Sequence, residues 1–297
     1  MRSATAAEAY APAGDHVRER FEASFFGFLV SRLLPRPGAL LDLGCGDGLA
    51  GRLAGPLARR YVGVDLRAQD GGFPGRFVHH DLREGVGPVG RRPFDLYLAT
   101  FGLGSHLHPR ELARLVQEIA GHGRRGALVA LEVLGLRSLE WPRLWEAPVG
   151  PARTISYPLA TPVEVHPWLP AELAELYAQA GIQPLLALDR TLQAGPQLGV
   201  DGLWPGLPAL RPALDCLVGG GEDPDVLPDI ALLAEPLPPL PAGPAAALHH
   251  ELAARRRRLV LGRGVVGVPG LADDIWRLEP LTGGGFGHGL TLVGRIR

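Results

Sequence analysis

Lysine and asparagine are absent from this chain of 297 residues, and methionine occurs once. All 30 basic residues are therefore arginines. A GC-rich coding sequence gives this pattern; a hyperthermophilic origin accounts for it less well, because such proteins are typically rich in lysine. There are two cysteines, Cys45 and Cys216, too few for a disulfide framework or a zinc-type spacing, so no metal is expected. No run approaches the ~18 apolar residues that span a membrane. The first fifteen residues also lack the apolar stretch of a signal peptide. A cytoplasmic location without a membrane partner is the resulting expectation. The formal net charge of -1 supplies no basic field for nucleic acid or anionic lipid.

What is present suits a globular core: 46% hydrophobic and 21% charged residues. Glycine (41) and proline (29) together stay under the ~25–30% that signals disorder, and their excess falls after residue 190. Residues 16–34 carry Val17, Phe21, Phe25, Phe28 and Leu29 at helical spacing, stopped by Pro35 and Pro37. Short apolar runs predict strands at 39–43, 61–64, 77–80, 95–100, 127–134, 182–188 and 290–296. Helices are expected at 49–60, at 109–121, at 170–180 and at 245–258. Strands alternating with helices predict an α/β fold: a Rossmann-like, doubly wound, mostly parallel sheet of seven strands with helices on both faces. An irregular C-terminal insertion accompanies it. The expected division is a core with an N-terminal helix at 1–190, an insertion, lid or oligomerisation region at 191–285, and the final core strand in 286–297. The Pro-rich stretch 236–244 reads as a rigid connection.

The densest signal is Leu41-Asp42-Leu43-Gly44-Cys45-Gly46-Asp47-Gly48, at a strand-to-helix turn. Glycines let the backbone turn tightly and let a ligand approach without a Cβ in the way. The dinucleotide fingerprint G-x-G-x-x-G fails, because residue 49 is leucine. A P-loop needs a lysine, and there is none. Asp65, 19 residues after Gly46 at the next strand end, can accept from a ribose diol. Asp81, in His79-His80-Asp81-Leu82, can accept from an adenine amino group. Plainer structural roles exist for each: Asp47 can cap a helix, Asp65 can close a turn, and Asp81 can pair with an arginine.

The ordered set Leu41–Gly48, Asp65, Asp81-Leu82 and Phe94–Thr100 resembles class I S-adenosylmethionine-dependent methyltransferases, over roughly residues 15–190. The resemblance implies S-adenosyl-L-methionine as cofactor. It would place Gly44, Cys45 and Gly46 against the methionine part, with Asp42 close to its amino group. Asp65, with Leu66 beside it, would meet the ribose, and Asp81 and Leu82 the adenine. Ala99 or Thr100 would offer a carbonyl to the ammonium.

Departures from subfamily patterns narrow the acceptor. Amino and amide methyltransferases carry Asn/Asp-Pro-Pro-Tyr/Phe where this chain has Ala99-Thr100-Phe101-Gly102, and Cys216 lacks the Pro-Cys context of cytosine enzymes. A small-molecule acceptor, methylated at oxygen or nitrogen, is therefore expected. His106 is the candidate general base, with helix capping or surface exposure as the alternative for it and for His108. Tyr10, His108, Trp141, Trp145, Tyr157 and His166 are candidate acceptor-pocket residues, against packing of a long loop onto the sheet. Arg255–Arg258 reads as a solvated helix end in preference to a nucleic-acid contact, and Gly283–Gly289 as a turn into the edge strand in preference to a mobile flap near the site. Two other readings stay open: non-methyl chemistry on the same cofactor scaffold (aminopropyl transfer or cyclisation), and a non-catalytic cofactor-binding subunit. An RNA methyltransferase ranks lower, and homo-oligomerisation is left open.

Overall fold

The computed structural model describes residues 23, 25–29, 38–55, 58–67, 72–148, 153–157, 163–190, 237, 239–263 and 283–297. Tyr10, Val17, Phe21 and Cys216 lie outside these residues. The expected strands form β1 (Ala39–Leu43), β2 (Arg60–Asp65), β3 (Arg76–His79), β4 (Leu96–Ala99), β5 (Leu128–Leu134), β8 (Ile182–Arg190) and β9 (Gly289–Ile296). They pair in the order β3-β2-β1-β4-β5-β9-β8. The pairs from β3 through β5 are parallel, and β9 runs antiparallel to both β5 and β8. The order reverses between β1 and β4, and such a switch point opens a crevice beyond the strand ends. β9 is thus interior, and β8 is the edge; the expectation that the last strand lies at the edge is corrected.

Alternate strand residues build two cores. Leu41, Leu43, Val62, Val64, Tyr97 and Val129 join Leu112, Leu115 and Ile119 of helix α2 (Pro109–His122) and Leu173 and Tyr177 of α3 (Pro170–Gln179). On the opposite face Leu40, Leu96, Leu98, Leu128 and Val293 join Phe25, Phe26 and Leu29, so helices cover both faces. Phe28, expected on that apolar stripe, is exposed, and Phe26 takes the buried place. Helix α1 (Leu49–Ala54) is half its expected length, because Gly55 turns the chain at φ 44° and Arg60 is already in β2. A hairpin of β6 (Ile155–Tyr157) and β7 (Val163–Val165) was not anticipated.

Helix α4 spans Pro244–Arg263, longer than expected. The arginine run is therefore inside the helix rather than at its end, and Arg256 is buried while Arg257 and Arg258 are exposed. Arg255 pairs with Glu251 one turn back. The glycine segment before β9 is fixed by one carboxylate. Buried Asp189, near the end of β8, accepts from the main-chain N–H groups of Gly284, Gly285, Phe286 and Gly287 at 2.9–3.2 Å. Among the described residues no helix is long and apolar enough to cross a membrane, and no group of three His, Cys, Asp or Glu residues is set for a metal.

Candidate functional site

The glycine loop leaves β1 at the switch point with Gly44, Gly46 and Gly48 all in the left-handed region (φ 69°, 50° and 78°). The amides of Gly44 and Cys45 donate to Val64 O at 2.8 and 3.2 Å, holding the loop against the end of β2. A Cβ on Gly44 would sit 2.8 Å from Leu103, so the loop also abuts the turn after β4. Asp65 faces back onto it: one carboxylate oxygen accepts from Gly46 N and the other from Arg67 N, both at 2.8 Å. One bond per oxygen leaves acceptor capacity for a further pair of donors.

Asp42 is 2% exposed and accepts from the Tyr61 hydroxyl at 2.7 Å. Burial, with Asp42 next to it, pushes the Tyr61 phenol far above its ordinary range. Burial and the carboxylates of Asp42 and Asp65 likewise raise the Cys45 thiol, which makes it a small packing residue and not a nucleophile. Gly63 makes room for that side chain, since a Cβ there would lie 2.6 Å from Cys45 Sγ. Gly63→Ala is therefore expected to destabilise the fold by about 1–3 kcal/mol, read from the urea unfolding midpoint.

The expected adenine end lies along the same rim. His79 Nε2 meets Leu66 O at 2.7 Å, joining the ends of β2 and β3. Leu82 is buried, while the Asp81 carboxylate is gripped by the Arg83 guanidinium at 2.6–3.0 Å, which holds its pKa below the usual value. An adenine amino group would have to share Asp81 with Arg83. Ala99 and Thr100 are buried at the end of β4. The next residue, Phe101, is the one non-glycine with positive φ (58°) among the described residues. A strained backbone of this kind costs of order 1–3 kcal/mol and clusters at functional sites.

Ser105 then clamps three elements. Its hydroxyl donates to His166 O at 2.6 Å and accepts from Leu134 N at 2.8 Å, and its carbonyl accepts from His166 N. His106 follows, with its pKa pushed down to about 4 by burial and then by the neighbouring His288. His108 takes the helix-capping alternative: its exposed ring accepts from Arg110 N at 3.3 Å, and its own N–H donates to Glu111 at 2.8 Å. His166 packs edge-on to that ring at 5.8 Å and contacts Thr154 at 3.4 Å.

The two candidate tryptophans do not share a pocket. Trp141 clusters with Leu134, Ile155, Tyr157 and Val165, whereas Trp145 packs with Leu139, Ala245 and Ala246 and stacks on His249 at 5.3 Å. Trp145 thus belongs to the contact with α4. Sequence reasoning missed Glu140. It is fully buried beside His288, a residue read only as part of a glycine turn. A carboxylate in a Trp-rich loop was the available signal.

Burial also lowers His249 to about 4. For His249 and His106 the folded-state value lies below the unfolded value near 6.5, so the unfolded chain binds protons first. Stability is expected to be full above pH 6.5 and to fall progressively towards pH 4. Urea midpoints across that window check this, and His249→Gln should flatten the decline.

No protein-family model and no curated protein matches the sequence. Solved structures of similar architecture include the Burkholderia thailandensis 1,6-didemethyltoxoflavin-N1-methyltransferase with bound 1,6-didemethyltoxoflavin and S-adenosylhomocysteine (21% identity, 58% of this chain, 71% of that one, TM-score 0.43). Another is CalS10, an amino pentose methyltransferase from Micromonospora echinaspora (16% identity, 59% and 85% coverage, TM-score 0.41). A SAM-dependent methyltransferase from Archaeoglobus fulgidus aligns over 94% of this chain and 97% of its own (13% identity, TM-score 0.45). At such scores these likenesses carry nothing about cofactor or acceptor; the fold is read from the sheet itself, whose seven mostly parallel strands and helix-covered faces are Rossmann-like.

Proposed function

We propose that this chain is an S-adenosylmethionine-dependent methyltransferase acting on a small-molecule acceptor at oxygen or nitrogen. The observation that carries the reading is the Asp65 carboxylate turned onto the glycine loop at the switch point, with acceptor capacity to spare. The cradle fits the cofactor: the Gly44 and Gly46 backbone would face its methionine part, Asp65 its ribose, and Leu82 with Asp81 its adenine. Ala99 and Thr100 would receive the ammonium, with Asp42 close by. When bound, the cofactor supplies an electrophilic methyl group on a sulfonium. The protein's part is to align an acceptor with it and to keep water away. The strained Phe101, at the exit of β4, supports a site at this strand end. Helix α4 docks on the segment after β5 through Trp145 and His249.

Calorimetry on the full chain tests the proposal. Saturable binding of S-adenosylhomocysteine is expected, and conversion of S-adenosylmethionine to S-adenosylhomocysteine when an acceptor is supplied. No binding of either compound sinks it, and turnover to another cofactor product points instead to aminopropyl transfer or cyclisation.

A further inference from the structure

Three residues that the cofactor cradle does not use meet beyond the end of β5. Gly135 N donates to His288 O at 3.0 Å, which sets His288 against the C-terminal end of β5 as the chain enters β9. Neighbouring strands lie about 4.8 Å apart, so β5, two strands from β1, puts this point about 10 Å along the rim from the glycine loop. There His288 Nδ1 makes a short contact with Glu140 Oε2. The Glu140 side chain is wholly buried; its Oε2 also accepts from the Ser138 hydroxyl at 3.2 Å, and its Oε1 meets no donor among the described residues. On the other side of the ring, His288 Nε2 lies 3.3 Å from the Tyr157 hydroxyl.

A buried carboxylate with so few donors is costly to keep unless it balances a positive charge. Among the described residues His288 is the group placed to carry that charge once its ring accepts a proton. A carboxylate also fixes the tautomer: Nδ1 carries the proton that faces Glu140, and Nε2 is left with a lone pair. The 3.3 Å contact to Tyr157 is longer than an ordinary hydroxyl hydrogen bond, as catalytic contacts often are before substrate arrives. The loop bearing Glu140 is rigid, since the Trp141 and Trp145 indoles donate to Gly135 O and Ser138 O at 3.0 and 2.8 Å.

We propose that His288 is the general base of this site, with Glu140 as its positioning residue, and that the acceptor carries a hydroxyl. The assignment rests on the methyltransferase reading above. In the step, the acceptor oxygen forms a bond to the methyl carbon while the carbon–sulfur bond breaks and leaves its electron pair on sulfur. The acceptor's proton passes to His288 Nε2, and the Glu140 carboxylate balances the imidazolium. Tyr157 yields its place at Nε2 to the acceptor hydroxyl. Among the described residues His106, Glu140 and Tyr157 are the titratable groups around the ring, and the Glu132–Arg190 pair lies next to Gly289. His106, protonated only near pH 4, is too weak a base to compete.

Two measurements on the full chain test this. In ¹⁵N-histidine NMR at neutral pH with S-adenosylhomocysteine bound, the signals lost in His288→Gln should show the Nδ1–H tautomer, and that preference should be lost in Glu140→Gln. A ring that is charged, or carries its proton on Nε2, overturns the assignment. In the second measurement S-adenosylhomocysteine release is followed with a panel of phenols, catechols, alcohols and amines. His288→Gln should lower kcat about 10²–10⁴-fold, with little change in cofactor affinity, and Glu140→Gln should shift the acid limb of the pH profile downward. Full activity in His288→Gln, or wild-type turnover confined to acceptors without a hydroxyl, overturns it as well. Failure of the unaltered chain to bind S-adenosylhomocysteine defeats the methyltransferase reading instead, and the two failures are told apart by that binding measurement.

Discussion

Replacing Asp65 by alanine should weaken S-adenosylhomocysteine binding about 100-fold or more. A carboxylate accepting both hydroxyls of a ribose makes two charge-assisted hydrogen bonds, each worth about 1.5–3 kcal/mol, and every 1.4 kcal/mol is tenfold in affinity. The same carboxylate also holds Gly46 N and Arg67 N, so its loss loosens the loop that faces the ligand. Asp65→Asn keeps one acceptor oxygen and should fall between, near tenfold. Calorimetric titration of both variants, with urea unfolding as the control for folding, measures the effect. Unchanged affinity in the alanine variant means that the ligand is not held by a ribose at this strand end.

The second large effect concerns stability. Arg190 on β8 and Glu132 on β5 face each other across β9 at 2.5 Å, with side chains 7% and 8% exposed. Thr291, on the intervening strand, donates to the same Glu132 oxygen at 3.2 Å, and the Arg190 guanidinium lies 4.0 Å over the ring of Phe25. Arg190→Ala strands the Glu132 charge in the core and should destabilise the protein by about 3–5 kcal/mol. Removing both charges, as in Glu132→Leu with Arg190→Met, should recover most of that loss, because the pair is expensive to bury in the first place. Urea unfolding of the singles and the double reads out the coupling. A mild Arg190→Ala would mean that water reaches Glu132.

How far the residues announced this arrangement depends on their separation along the chain. The glycine loop and the acid that faces it were legible because strand, loop and acid follow one another at short intervals, and the mainly aliphatic Leu40–Leu43 marks a strand buried on both faces. The hairpin at Ile155 and Val163 was not, since three-residue strands leave no measurable period. The capping role of His108 was legible only as an alternative, because a ring nitrogen there does the work usually given to Ser or Asp at a helix start. Glu140 and His288 are 148 residues apart, and only the antiparallel insertion of β9 brings them together. No local pattern encodes that meeting. The same holds for Asp189, whose four amide partners lie 95 to 98 residues downstream.

The place of β9 sets a timetable for biosynthesis. Among the described residues β8 is hydrogen-bonded to the sheet only through β9, and β9 is made from residues 289–296. While those residues are still inside the ribosome, the nascent chain presents the open flank of β5 and an unattached β8, both rich in aliphatic side chains and both ready to pair with whatever strand comes near. Both flanks thus wait for a segment far downstream of them, and a change that weakens β9 would leave them bare together.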